Sequence, residues 1–169
     1  SKEQFGNGDE DYAAVMQRAY EDFFSIQPYA ALKDYFNVYV INAVSEDSHD
    51  ATPYWSGGAQ NGATNGSANT VFNTKFIPGQ TSITGTDATV LYYAMQAIRS
   101  KGGPNGTAIT NETEVYRRAN TALIMVMVNV KAHAGTCGLA WTNGSDYGDA
   151  YSVAYTALGS DETGVGCKW

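Results

Sequence analysis

Histidine is nearly missing from this sequence: His49 and His133 are the only two, far apart along the chain. That excludes the helical His-Glu-x-x-His pair and any His/Cys cluster with zinc spacing. His49 lies in the polar run SEDSHD and reads as solvated surface, whereas His133 follows an apolar segment and reads as a structural hydrogen-bonding group. Cysteine is equally scarce. Cys137 and Cys167 are too few and too isolated for a zinc knuckle, which leaves either one disulfide or two buried thiols. Ser45, Ser152 and Ser160 stand in no Gly-x-Ser-x-Gly elbow, and Cys137, in GTCGLAW, has no nucleophile context. Asp146, Asp149, Asp161 and Glu162 lack the twelve-position spacing of an EF-hand and read as solvated turns. No phosphate loop is present, because GGPNGT is a turn.

Positive charge is also short. Ten Lys and Arg face 17 Asp and Glu, for a net charge of -7. With no basic run to neutralise phosphates, no nucleic acid partner is expected, and the acidic excess serves solubility. Long apolar runs are absent too. The most apolar segment, ALIMVMVNV at 122–130, has nine residues and is too short to cross a bilayer. No signal peptide or membrane span is visible, although a mature chain would have lost the former. No internal repeat or composition shift divides residues 1–169, so a single domain is expected, long enough to bury roughly two-thirds of its unfolded surface.

What is there is an apolar, aromatic-rich chain, 43% hydrophobic with twelve tyrosines, which excludes a disordered polymer. Asp9, Glu10 and Asp11 place acid ahead of Tyr12, Val15, Met16, Ala19, Tyr20, Phe23 and Phe24, whose spacing predicts a helix with one wide apolar face. Pro28 closes that helix near 25–27, and one more short turn is expected at 29–35. Residues 36–44 then read as a strand apolar on both faces, hence central in a sheet. A long Ser/Asn/Gly/Thr loop follows from Ser45 to about Gly85, broken by a short segment near 71–77. Helices are predicted at 86–100, stopped by Gly102-Gly103-Pro104, and at 112–120.

The branched run at 122–130 reads as a buried core strand, 134–141 as a weak strand, Asn143-Gly144 as a turn and 150–158 as a further strand. The order gives an α/β sheet of mixed direction. Four Asn-x-Ser/Thr sequons occur, at Asn65, Asn105, Asn111 and Asn143; Asn-Gly turns account for three of them equally well. Low lysine and many Gly, Asn, Ser and Thr favour an extracellular or periplasmic protein.

The passage YAAVMQRAYEDFFSIQPYAALKDYFNVYVINAVSED, together with NTKF, ALIMVMVNVKAHAGTCGLAW and DYGDAYSVAYTAL, resembles the opening of the catalytic domain of bacterial IgA-peptidase-like zinc metallopeptidases. The likeness covers most of the chain in order. It implies a zincin-like mixed sheet with an antiparallel edge strand, flanked by helices and incomplete here, in which the edge strand takes extended peptide substrate. By order that strand is 136–141, with Thr136, Gly138, Leu139, Ala140 and Trp141 as substrate-binding residues.

The family's His-Glu-x-x-His, whose histidines hold zinc and whose glutamate activates water, has no matching position in this chain. Zinc is therefore implied for a complete family member and no cofactor for this chain. The expected function is the N-terminal, substrate-side portion of a secreted, periplasmic or cell-surface zinc metallopeptidase, inactive alone. The other reading is a non-catalytic extracellular module that holds peptide or glycan at the edge strand and Tyr/Asn-rich loops. A sheet lacking its neighbours should expose an apolar edge, so self-association, or pairing with further chain segments, is expected.

Overall fold

The computed structural model describes residues 12–46, 54–56, 59–61, 70–76, 83–131, 138–141 and 152–159. Helix α1 (Tyr12–Phe23) buries Val15 and Ala19. It is followed by a turn in which Ser25 N–H bonds to the Asp22 carbonyl at 3.1 Å. Past Pro28, α2 (Tyr29–Leu32) and a 3-10 turn (Lys33–Tyr35) complete the corner. Aromatic packing holds it: the rings of Phe23 and Tyr29 stack at 4.5 Å, and Phe36 meets Phe24 edge-on at 5.5 Å. The Lys33 ammonium sits 4.8 Å from the Tyr20 ring centroid.

Beyond the corner the structure departs from expectation. Residues 36–44, expected as a central strand, are in neither helix nor strand and join no sheet among the described residues, although Phe36 itself is extended. Val38, Val40 and Val44 are 51%, 59% and 77% exposed. Apolar, branched residues license an extended backbone, yet they do not specify which strand supplies the ladder. Side chains hold this stretch instead. The Tyr12 hydroxyl donates to the Ile41 carbonyl at 3.0 Å, and Ser45 Oγ accepts from Val71 N–H at 3.0 Å.

The expected long loop also contains regular structure. Strands β1 (Tyr54–Ser56) and β2 (Ala59–Asn61) pair antiparallel, as do β3 (Lys75–Phe76) and β4 (Ile83–Thr84). These pairs are two and three residues long, below what propensity patterns can resolve.

Helix α3 (Asp87–Lys101) follows its sequence signals closely. Asp87 lies in the first turn and Arg99 and Lys101 in the last, each complementing the helix dipole. Gly102 N–H closes it on the Ile98 carbonyl at 2.6 Å, and a Cβ at Gly102 would collide with that carbonyl. Gly103-Pro104 and the left-handed Asn105 (φ 54°) turn the chain toward α4 (Glu112–Ala119). This is the Asn-Gly turn anticipated at one sequon. Asn111 caps α4, its side chain accepting from Glu114 N–H at 3.2 Å. Ile98, Val115 and Ala119 form the core between the two helices, with Leu91, Met95 and Ile109 packed around it.

The main sheet has order β5-β7-β6, with β5 (Leu123–Lys131), β6 (Gly138–Trp141) and β7 (Ser152–Gly159). β5 runs parallel to β7, which a hairpin could not arrange, and β6 runs antiparallel to β7. The fold is thus mixed helix and strand. β5 is only half buried: Val126 and Val128 are 6% exposed, while Leu123 and Met125 are 51% and 37% exposed. The expected buried core strand is corrected here: Leu123 and Met125 on its second face are exposed, and only Met127 there is half-buried. No helix among the described residues is long and apolar enough to cross a membrane.

Candidate peptide-binding edge

Strand β7 positions everything around it. Tyr155 is fully buried at its centre, opposite Val126 on β5 and Leu139 on β6. Its hydroxyl donates to Asp87 Oδ1 at 2.5 Å, tying the sheet to the first turn of α3. A buried tyrosine needs such a partner for its hydroxyl, and a carboxylate makes the bond charge-assisted. The ring leaves no room beside it: a Cβ on Gly85 would lie 2.5 Å from Tyr155 Cε1 and 2.9 Å from the Phe72 carbonyl oxygen. Glycine is thus required where the chain enters α3. Thr86 N–H bonds to the same Phe72 carbonyl at 2.7 Å, so β7, the helix start and the 70–74 loop form one locked junction. The sequence marked Asp87 only as a helix-start acid; its pairing with Tyr155, 68 positions away, had no local signal.

Of the residues expected to hold substrate, Gly138, Leu139, Ala140 and Trp141 make up β6, paired with Thr156, Tyr155, Ala154 and Val153. Thr136 lies outside the described residues. β6 stands at the end of the strand order, and its edge away from β7 carries no ladder among the described residues. Those outward backbone N–H and C=O groups can receive an extended chain by strand addition. His49, His133, Cys137, Cys167, Asp146, Asp149, Asp161 and Glu162 all lie outside the described residues. Among the described ones, no three His, Cys, Asp or Glu side chains are grouped so as to hold a metal ion.

The opposite side of the sheet presents a second feature that sequence reasoning missed. A groove of about 720 Å³ separates the 36–45 segment from β5 and α3, lined by Val38, Val40, Ala97, Leu123 and Met125. Beyond the same segment a more open hollow of about 1130 Å³ is lined by Gln96, Ser100, Lys101 and Asn105. Burial pushes the Tyr12 phenol up, which keeps it a neutral donor to the Ile41 carbonyl at the groove wall.

Formal charges cluster on the α3–α4 corner, where Arg118 reaches the groove and Lys101 and Arg118 the hollow. Arg99 grips Glu112 through two hydrogen bonds of 2.9 and 2.6 Å and holds its carboxyl below the ordinary range. Arg117 and Arg118 both bond Glu114, lowering it to about 2. Arg118 also donates to the Gly102 carbonyl at 2.8 Å, bridging the end of α3 to α4. Arg99, Glu114 and Arg118 are half-buried and Glu112 and Arg117 exposed, and these pairs tie the corner together. No protein-family model, curated protein or solved structure matches this chain.

Proposed function

We propose that this chain is the substrate-holding side of a secreted zinc peptidase of the IgA-peptidase-like kind. In this reading the sheet is zincin-like, β6 is its edge strand, and an extended peptide adds to it as a further antiparallel strand. The observation that carries the reading is the position of β6: antiparallel on β7, last in the order, with its outer backbone groups unladdered among the described residues. Backbone pairing would supply affinity for any extended segment, and pockets on alternate sides would supply selectivity. The ordered resemblance of the sequence supplies the peptidase identity. The two zinc-holding histidines and the activating glutamate have no matching positions among the 169 residues, so this reading gives these residues the substrate-holding role and not the hydrolytic one.

The test is titration of the isotope-labelled chain with unfolded casein peptides, followed by amide chemical shifts. Shifts concentrated on residues 138–141 and spreading to β7 are expected. Shifts confined elsewhere, or none at millimolar peptide, would overturn the edge-strand reading. For the peptidase half, the gene's complete product should retain stoichiometric zinc after dialysis and cleave casein. A complete product that binds peptide at β6 without zinc or cleavage would instead be a non-catalytic binding module.

A further inference from the structure

The far side of the sheet, away from β6, carries a second feature with its own logic. Along 38–45 exposure alternates strictly: Val38, Val40, Asn42 and Val44 are exposed, and Tyr39, Ile41, Ala43 and Ser45 are half-buried. That period of two belongs to a strand with one face covered. The only hydrogen bond to the backbone of 37–44 among the described residues is the Tyr12 hydroxyl on the Ile41 carbonyl. Facing this segment across the groove is the edge of β5 that β7 does not use, with Leu123 and Met125 exposed beside it. Among the described residues neither of these two apolar stretches carries a ladder on the side facing the other, and they share one groove.

We propose that residues 36–44 form a strap that closes onto the free edge of β5 as a parallel fourth strand, filling the groove. Connectivity favours this direction. The chain between strap and β5 contains α3 and α4, long enough for the helical crossover that parallel strands require. Both ends are already tethered. Phe36 is clamped by the rings of Phe23, Phe24 and Tyr29, and Ser45 is bonded to Val71 N–H. Closure therefore needs a shift of the middle of the strap and no rearrangement of its ends.

The tethers also decide the occupant. A strand held beside the edge competes at an effective concentration of the order of millimolar, which a second copy at ordinary concentrations does not reach. Closure removes an exposed apolar edge of the kind that drives sheet-to-sheet association. It is independent of whether β6 holds peptide, since β7 lies between the two edges.

Amide hydrogen exchange on the full 169-residue chain, read residue by residue, tests the strap. Alternate amides of β5 point away from β7 and should exchange slowly together with alternate amides of 37–44. Neighbouring strand amides point to opposite edges, so one of Val40→Pro and Ile41→Pro removes a ladder donor. That variant should speed exchange at the outward β5 amides by about 100-fold or more. The inward β5 amides, paired to β7, should stay protected in both variants, showing that the fold survives. Outward amides that already exchange fast in the parent chain would overturn the proposal. So would outward protection that grows with concentration as light scattering shows the mass doubling, which would assign the edge to a second copy.

Discussion

The α3–α4 corner and the 36–45 segment are the two most instructive parts of this molecule to set side by side. Both are built from residues with strong local preferences. In the corner, Val115 and Ala119 are fully buried, and Asn111, Gly102 and Arg118 satisfy the ends of both helices. In the segment, three valines stand exposed and a single hydrogen bond reaches the backbone over 37–44 among the described residues. The difference lies in where the partners are. A helix finds its hydrogen bonds four residues away and a cap within three, whereas a strand must find its ladder in a distant part of the chain.

The largest effect should come from the core of the corner. Val115→Asp places a carboxylate at a fully buried position among Ile98, Ala119, Leu91 and Met95 and should cost about 4 kcal/mol or more, enough to abolish the cooperative urea transition. The matched change beside the segment, Tyr35→Ala, removes a side chain that is 84% exposed and should move stability by no more than about 0.5 kcal/mol. If the two variants shifted the transition equally, the contrast between a closed corner and an open segment would fail.

A smaller effect isolates the cap. Asn111→Ala loses the bond to Glu114 N–H and should cost about 1 kcal/mol, with Asn111→Asp retaining most of the stability. Equal losses in the two variants would show that the side-chain acceptor does not matter. This cap also bears on the sequon at Asn111, since the amide that glycosylation would modify is the one capping the helix.

The smallest effect is electrostatic. Arg117 and Arg118 lower the Glu114 carboxyl from its ordinary 4.5 to about 2. A carboxyl whose pKa is lower folded than unfolded stabilises above its unfolded value, and that contribution is lost as pH falls through the folded one. Stability of the corner should therefore decline between about pH 4.5 and 2, and Glu114→Gln should flatten that decline, as followed by urea midpoints across the range. Because Arg117 is exposed and Glu114 and Arg118 are only half-buried, the slope should shrink in molar salt.

The helices at 86–100 and 112–120 were legible almost to the residue, because apolar spacing, an acid at the start and Gly-Gly-Pro at the end act within one or two turns. The run at 122–130 was legible as a strand from its branched residues. Its half-exposed state was not, since a continuous apolar run says that both faces can be buried and not that both are. The same limit applied to 36–44. At the candidate edge, the family resemblance taken in chain order nominated Thr136, Gly138, Leu139, Ala140 and Trp141, but not the bond between Tyr155 and Asp87 that steadies the strand next to the last four.

By itself, then, the sequence determined the helices, the Gly-Gly-Pro stop after α3, the apolar strand at 122–130 and the absence of a His-Glu-x-x-His motif, all properties of neighbouring residues. Only the tertiary structure decided that β7 lies between β5 and β6, that Gly85 must stay bare beside Tyr155, and that residues 36–44 face β5 across an open groove. The physical reason is separation: side-chain spacing encodes which surfaces are apolar within a few residues, while the choice of which surfaces meet is made between segments tens of residues apart.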